Sequence, residues 1–525
     1  MNVRRLFPFA LFVLLFAAAV RPTLDPDMWW HLRTGEAILS GGIPRTDLFS
    51  FTFPTNEWIA HEWLSQLLMW GLYQLAGFGA LSIFFAAVTV VTLGLVYMAS
   101  DGKPYVAGIV VALVAVTCSF GWGPRPQLFN LLFLALFIFL LEKRKDRAIG
   151  RWVFIAFPVL TLLWANLHSG YLLGIVVLGT YLVGDYLESH RSTPDVRTLP
   201  RSDLQRLLLS VAACAVAALA NPNGVRLWLY PFETLFSTVQ RELIVEWFPP
   251  KPDQTVFWFL VGLVVVGIVA FVLASRRPSI TELLVFGGTA FGAFMSVRNI
   301  PIFAIASTPI LCRSLVAAIP AASLHSSVDS DEPRRLPTFL AAGAIGVGAV
   351  VLAIATLVGN VESVRAKFPE AAVDWIEADH RAEDRIFNAY NWGGYLIWRG
   401  HPVYVDGRAD VYGDAGLLNW VQTYRVKPGW EDPLDHYQID LVLVESDSEL
   451  AATLAHTSGW LLAYEDALAR VFERDERFRG GQSILARPGQ PTQLDCPTDT
   501  VGSAMRADRT PPSNDLCQQN HPTPE

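Results

Sequence analysis

Residues 79–99 read GALSIFFAAVTVVTLGLVYMA and carry no charge. A helix of such composition is apolar on every side, and a run of about 17 to 25 such residues matches the hydrocarbon thickness of a bilayer. Comparable runs lie on both sides of it, at 6–22, 104–120, 126–142, 152–167, 170–188, 205–220, 254–274, 280–297, 299–319 and 337–359. The spacing predicts a polytopic α-helical membrane protein of about eleven spans over residues 1–360. From Glu362 onward charged residues recur at ordinary frequency, which predicts a small α/β domain over 361–486. The Pro- and Thr-rich stretch 487–525 reads as a disordered tail. Of 525 residues, 52% are apolar and 17% charged, which excludes a single soluble domain; the net charge of −8 gives no reason to expect nucleic acid as a partner.

Basic residues set the expected orientation, because cytoplasmic loops carry the excess of Lys and Arg. Arg4 and Arg5 precede the first run; Lys143, Arg144, Lys145 and Arg147 follow the fourth. Arg191, Arg197, Arg201 and Arg206 follow the sixth, Arg276 and Arg277 the eighth, and Arg334 and Arg335 precede the last. With eleven spans all of these fall on one side, which predicts a multi-pass cell-membrane protein with its N-terminus cytoplasmic and its C-terminal domain extracytoplasmic. Residues 1–22 also satisfy the pattern of a cleaved signal peptide, Arg4 and Arg5 before an apolar stretch ending in Ala17-Ala18-Ala19; a retained first span is the reading adopted, since the loop behind it needs an anchor. Cys118, Cys214 and Cys312 read as small packing residues in or beside spans. Cys496 and Cys517, in the tail, are able to pair outside the cytoplasm.

Spans alone do not separate an enzyme from a transporter, so the non-cytoplasmic loops carry the functional information. The first, 22–76, is far longer than a connection between spans requires. It opens Leu24-Asp25-Pro26-Asp27-Met28-Trp29-Trp30-His31-Leu32-Arg33, where Asp27 is a natural N-cap for a helix to about Leu39 and Trp29, Trp30 and Leu32 would rest at the membrane interface. His61-Glu62-Trp63 opens a second amphipathic stretch. The plain alternative is that Asp27 only caps and the tryptophans only anchor.

The stretch DPDMWWHLRTGEAILSGGIPRTDLFSF (25–51) resembles the first external loop of the oligosaccharyltransferase catalytic subunit and, more loosely, of the GT-C class of multi-span glycosyltransferases that use polyprenyl-linked sugars. In that class an Asp just after the first span lies at the catalytic centre, and the matching residue is Asp27. Phe387-Asn388-Ala389-Tyr390-Asn391-Trp392-Gly393-Gly394-Tyr395-Leu396-Ile397-Trp398 is similar in layout to the family's acceptor-contacting WWDYG segment, and Ser296-Val297-Arg298-Asn299-Ile300-Pro301 to its phosphate-binding Arg. The departures are equally definite. Gly393 or Gly394 stands where WWDYG has its acid, and Gly121-Trp122-Gly123-Pro124-Arg125-Pro126-Gln127 offers a cation where the family has a second acidic pair that helps hold a divalent metal; Glu246 is the match for a later acid. The resemblance therefore implies kinship with the superfamily rather than membership of the oligosaccharyltransferases.

Sugar transfer from a lipid phosphate needs a base for the acceptor and a counter-charge for the departing phosphate. The expected base is Asp27, with Asp25 or Glu62 as alternatives. Donor phosphate falls to Arg298, with Arg125 and His31 beside it, because a guanidinium is a fixed bidentate donor. His61 and His168 would orient these groups. Acceptor contacts are expected from Glu246, Asn391, Trp392, Tyr395, Asp406 and Arg408. A hard ion such as Mg or Mn would suit these carboxylates, Asp27 among them; no nucleotide-binding motif is present. In the C-terminal domain, helices are expected near 369–380, 392–398 and 449–455, and strands near 385–389, 402–405, 440–444, 461–465 and 467–473. The leading expectation is an inverting membrane glycosyltransferase, moving a hexosyl or pentosyl group from a polyprenyl phosphate or pyrophosphate to an envelope glycan, lipid or protein, as in a bacterial inner membrane. The rivals are a non-catalytic glycolipid-binding or envelope-assembly protein and a transporter. A transporter would want ionisable groups along its spans, where Asp185 and Glu188 lie only near a cytoplasmic end.

Overall fold

The structure is a computed structural model describing residues 3–100, 103–191, 196–319, 335–379 and 384–475. Arg334, the end of the expected C-terminal domain and the tail with Cys496 and Cys517 lie outside the described residues. All eleven apolar runs form helices, from Val3–Ala19 to Arg335–Val358. Among the described residues six helices are long and apolar enough to cross a membrane, and Arg5–Ala19, Val153–Leu167 and Ile280–Met295 are shorter apolar helices. The other two, Gln127–Lys145 and Arg201–Ala217, carry charge at one end. Cys118, Cys214 and Cys312 are buried and free.

Basic loops that are distant in sequence meet. Arg144 Nε donates to Asp203 Oδ2 at 2.8 Å, Lys145 pairs with Asp185 at 2.7 Å, and Arg197 pairs with Asp146. These contacts gather the ends of Gln127–Lys145, Tyr171–Glu188 and Arg201–Ala217 at one end of the bundle. Arg313 ties the adjoining helices there by pairing with both Glu142 and Glu282.

The first loop forms its own layer. Helix Met28–Gly41 packs against the start of the long helix Trp63–Ala99, which breaks at Ala76 and Gly77; Gly77 sits at φ 64, which a residue without a Cβ adopts at least cost. Asp27 occupies the N-cap position, yet its side chain makes no capping hydrogen bond. Trp29, Trp30 and Leu32 do not rest at a membrane interface. They are buried in protein, with the Trp29 ring 5.3 Å from Phe368 and 5.2 Å from Tyr395, because the C-terminal domain covers the apolar side of this helix.

That domain is a mixed four-stranded sheet of β1 (Ile386–Asn388), β2 (Leu441–Glu445), β3 (Trp460–Glu465) and β4 (Ala469–Arg474), in the order β1-β2-β4-β3. β1 runs parallel to β2, and the other pairs are antiparallel. Leu441, Val442, Leu443 and Val444 are all fully buried, as befits a strand covered on both faces. The strand expected at 402–405 is not part of this sheet. Val403 instead exchanges backbone hydrogen bonds with the first loop, Phe51 N–H to Val403 O at 3.2 Å and Val403 N–H to Phe49 O at 3.0 Å. Helix Ala409–Tyr424, unanticipated from sequence, is interrupted at Gly413 (φ 58), which breaks the apolar period that Val411, Tyr412, Leu417 and Val421 otherwise make.

Candidate active site

The loop carrying Asp27 sits so close to the C-terminal domain that only glycine fits opposite it. A Cβ on Gly407 would stand 1.7 Å from Asp27 Oδ1, and one on Gly394 would stand 2.3 Å from Pro26 O. A Cβ on Gly393 would likewise stand 2.1 Å from Val405 O, so at Gly393 and Gly394 alike two backbones meet. Trp30 Nε1 donates to Asp27 Oδ1 at 3.0 Å, and Asp25 Oδ1 accepts from the Asp27 N–H at 2.9 Å. Burial and the Asp25 carboxylate lift the Asp27 carboxyl to about 7, against the Trp30 hydrogen bond and the nearby Arg125.

Two cavities meet at this point. An inner chamber runs toward Glu62, and a larger outer cavity opens past Arg21, Lys367, Tyr390 and Trp420. Asp25, Asp27, Arg125 and Arg298 line both and form the waist between them. Arg298, half-buried in the short turn before helix Ile300–Ala318, makes no hydrogen bond or ion pair among the described residues. Arg125 is fully engaged: Nε lies 3.0 Å from Asp25 Oδ2 and Nη2 lies 3.0 Å from Glu246 Oε1. Burial opposes ionisation of Glu246, but Arg125 and Arg298 outweigh it and hold the carboxyl below its usual range.

This arrangement does not fit a divalent metal. The guanidinium of Arg125 fills the place between Asp25 and Glu246 where such an ion would bridge them. The chemistry at the waist is therefore derived from side chains alone.

Glu62 belongs to a different constellation. His168 Nε2 is 3.0 Å from its carboxylate, His31 Nε2 3.5 Å and His61 Nε2 3.6 Å. Gly170 N–H donates to His168 Nδ1 at 3.0 Å, which leaves the proton of the neutral ring on Nε2, facing Glu62. Burial opposes the charge on Glu62, yet His168 and His61 hold its carboxyl well below the usual range. Burial depresses His31 to about 4 and His168 to about 3, whereas the Glu62 carboxylate overcomes burial at His61 and raises it. A carboxylate this firmly ionised is a poor proton acceptor near neutral pH, so Asp27 is the better-matched base.

The remaining expected residues divide. Asn391 lines the outer cavity, whereas Trp392 and Tyr395 line neither: Trp392 Nε1 donates to Lys367 O at 3.2 Å, and Tyr395 stacks on Phe368 at 5.5 Å. Asp406 is wholly buried, with Arg408 Nε on its Oδ1 at 2.8 Å and Nη2 on its Oδ2 at 2.6 Å. Arg408 also donates to Asp47 Oδ1 at 2.6 Å and lies over the Trp58 ring at 4.7 Å. It lines the inner chamber, but its charge is matched within the protein. Sequence reasoning missed Gln66, Tyr230, Trp247 and Lys367, which also line these cavities, and Asp47; none stands in a recognisable motif.

No family model and no curated protein matches this chain. Solved structures do. ArnT from Cupriavidus metallidurans in the apo state is similar at 14% identity over 91% of this chain and 99% of that one, with a TM-score of 0.52. The Archaeoglobus fulgidus oligosaccharyltransferase, tethered to an acceptor peptide with an NVT sequon, is similar at 11% identity over 91% of this chain and 74% of that one, with a TM-score of 0.51. Over nine tenths of its length, this chain has the fold of the GT-C membrane glycosyltransferases.

Proposed function

We propose that the protein is a membrane glycosyltransferase that moves a sugar from a polyprenyl-phosphate or -pyrophosphate donor to an acceptor hydroxyl or amide on the extracytoplasmic side. The observation that carries this reading is the waist, where a carboxyl poised near neutrality and an unpaired Arg border both cavities at once. Arg298 takes the donor phosphate, and Asp27 takes the acceptor proton. The acceptor heteroatom bonds to the anomeric carbon from the face opposite the phosphate. Its proton passes to Asp27, and the bond from the anomeric carbon to the phosphate oxygen breaks, releasing lipid phosphate beside Arg298 with inversion. Arg125 holds Asp25 and Glu246 in place as a fixed internal cation.

The outer cavity suits the acceptor, with Asn391, Tyr390 and Trp420 in its wall. The basic loops gathered at the other end of the bundle support an orientation that places both cavities outside the cytoplasm.

The direct test is transfer from a mixture of polyprenyl-linked sugars to envelope extracts by the protein in nanodiscs. Arg298→Ala is expected to weaken retention of undecaprenyl phosphate at least about tenfold, as loss of a charge-assisted pair does. Native mass spectrometry reads this, and equal retention by both forms would remove Arg298 from the donor site. Because Asp27 must be ionised to accept a proton, transfer is expected to rise with pH and level off above about 7. A profile flat from pH 5 to 8 would argue against Asp27 as the base.

A further inference from the structure

We propose that a charged chamber at the end of the helix bundle opposite the waist holds the phosphate headgroup of an anionic phospholipid. The proposal stands independently of the glycosyltransferase reading.

The chamber lies far from the chemistry at the waist. Helix Gln127–Lys145 begins in the wall of both the inner chamber and the outer cavity and ends in the wall of this third one, with Glu142 and Lys145. Helix Ile300–Ala318 starts just after Arg298 and reaches the same wall with Arg313, Val316 and Ala317. At about 1.5 Å of rise per residue, Gln127 and Glu142 are about 22 Å apart along their helix.

Charge favours an anion there. The wall carries four cations, Lys145, Arg197, Arg276 and Arg313, against two carboxylates, Glu142 and Glu282. Both carboxylates are already occupied by the protein. Glu282 accepts from Arg276 Nη1 and Nη2 at 2.9 Å each, from Arg313 Nε at 3.1 Å and from the Ser279 N–H at 2.9 Å. Glu142 accepts from Arg313 and, at 2.6 Å, from the Tyr181 O–H. Asp185 and Asp146, which pair with Lys145 and Arg197, do not line the chamber. A basic pocket of this kind between spans suits a phosphate headgroup, which guanidinium groups bind through charge-assisted hydrogen bonds.

The rim points to a phosphate carried by a lipid. Ser275 N–H donates to Ala317 O at 3.0 Å, which sets the end of helix Thr255–Leu273 against the chamber wall. Val272 and Leu273, in the last turn of that helix, are exposed. An acyl chain has apolar protein surface to lie on beside the charged wall, and a free phosphate has no use for it. One headgroup would link Arg197, Arg276 and Arg313, which stand on three different segments of the bundle.

The test adds three probes to the full-length protein in an uncharged detergent: phosphatidylglycerol, phosphatidylcholine with the same acyl chains, and inorganic phosphate. Phosphatidylglycerol is expected to be retained about tenfold better than phosphatidylcholine in native mass spectrometry, and to raise the melting temperature. Arg197→Gln and Arg276→Gln are each expected to lower that retention about fivefold. Arg197 is more than half exposed, so Arg197→Gln is expected to keep the lipid-free melting temperature of the wild type and to report on binding alone. Arg206→Gln removes a cation from the same end of the bundle that pairs with Asp203 and does not line the chamber, and it is expected to leave retention unchanged. Equal loss in Arg206→Gln would mean that a diffuse positive surface attracts the lipid, which would overturn the proposal. So would equal retention of the two phospholipids, or a melting shift from inorganic phosphate as large as that from phosphatidylglycerol.

Discussion

Asp27→Asn is expected to lower sugar transfer by about 10²- to 10⁴-fold, the usual contribution of a positioned general base, while retention of the donor lipid stays within about twofold of wild type. The asymmetry follows from geometry. Asn keeps the shape and still accepts the hydrogen bond from Trp30 Nε1, but it cannot take a proton. A structural role for Asp27 would show as lost stability, and the expected sign is the reverse. Its carboxyl is about 7 in the folded protein against an ordinary value of 3.8, so between these values the folded state binds more protons than the unfolded chain. Folding is therefore disfavoured progressively as pH rises through that window, and the cost is complete above it. At pH 8, Asp27→Asn is expected to melt at or above the wild-type temperature while failing to turn over. Full activity in the variant, read as radiolabelled sugar incorporated, would remove Asp27 from the reaction as its base.

Arg408→Met is the substitution with the largest expected effect on stability. It removes the one guanidinium that Asp47 of the first loop and Asp406 of the C-terminal domain share, and both acids are at most 6% exposed. Truncating one partner of a buried ion pair costs about 3–5 kcal/mol, because the remaining charge is left in a medium that cannot solvate it. Methionine retains much of the side-chain volume, so packing against Phe49 and Trp58 is not the main loss. The expected result is a lower melting temperature, with faster amide exchange at 47–51 and 403–412, where loop and domain hydrogen-bond to each other. Adding Asp406→Asn should recover part of the loss, since one of the two stranded charges is then gone. Unchanged melting in Arg408→Met would mean that the loop and domain are joined chiefly by their apolar contact around Trp29.

The apolar runs were legible because crossing a bilayer demands a local and continuous signal, and each run did become a helix. The mixed helix and strand character of the C-terminal domain was legible for the same reason, from periods of a few residues; β1, β2, β3 and β4 all fall on expected stretches. Segment 402–405 failed that reading because extended backbone only needs partners, and here the first loop supplied them. Amphipathic character did not fix where Trp29 and Leu32 would be buried, since a membrane interface and a protein interface ask for the same residues.

The sequence by itself determined that the chain is a multi-helix membrane protein, and it marked one long loop crowded with acids, histidines and tryptophans. Only the tertiary structure decided how those groups divide. It brought Asp25, Asp27, Arg125 and Arg298 to one waist, gave Glu62 to three histidines, and tied Arg125 to Glu246. It also joined Arg408 to Asp47 across 361 residues of chain. The physical reason is range. Hydropathy acts over one helix length, and a sequence records it directly. Whether a charge is free for a ligand depends on which opposite charge folding brings within a few ångströms, and no local pattern encodes that distance.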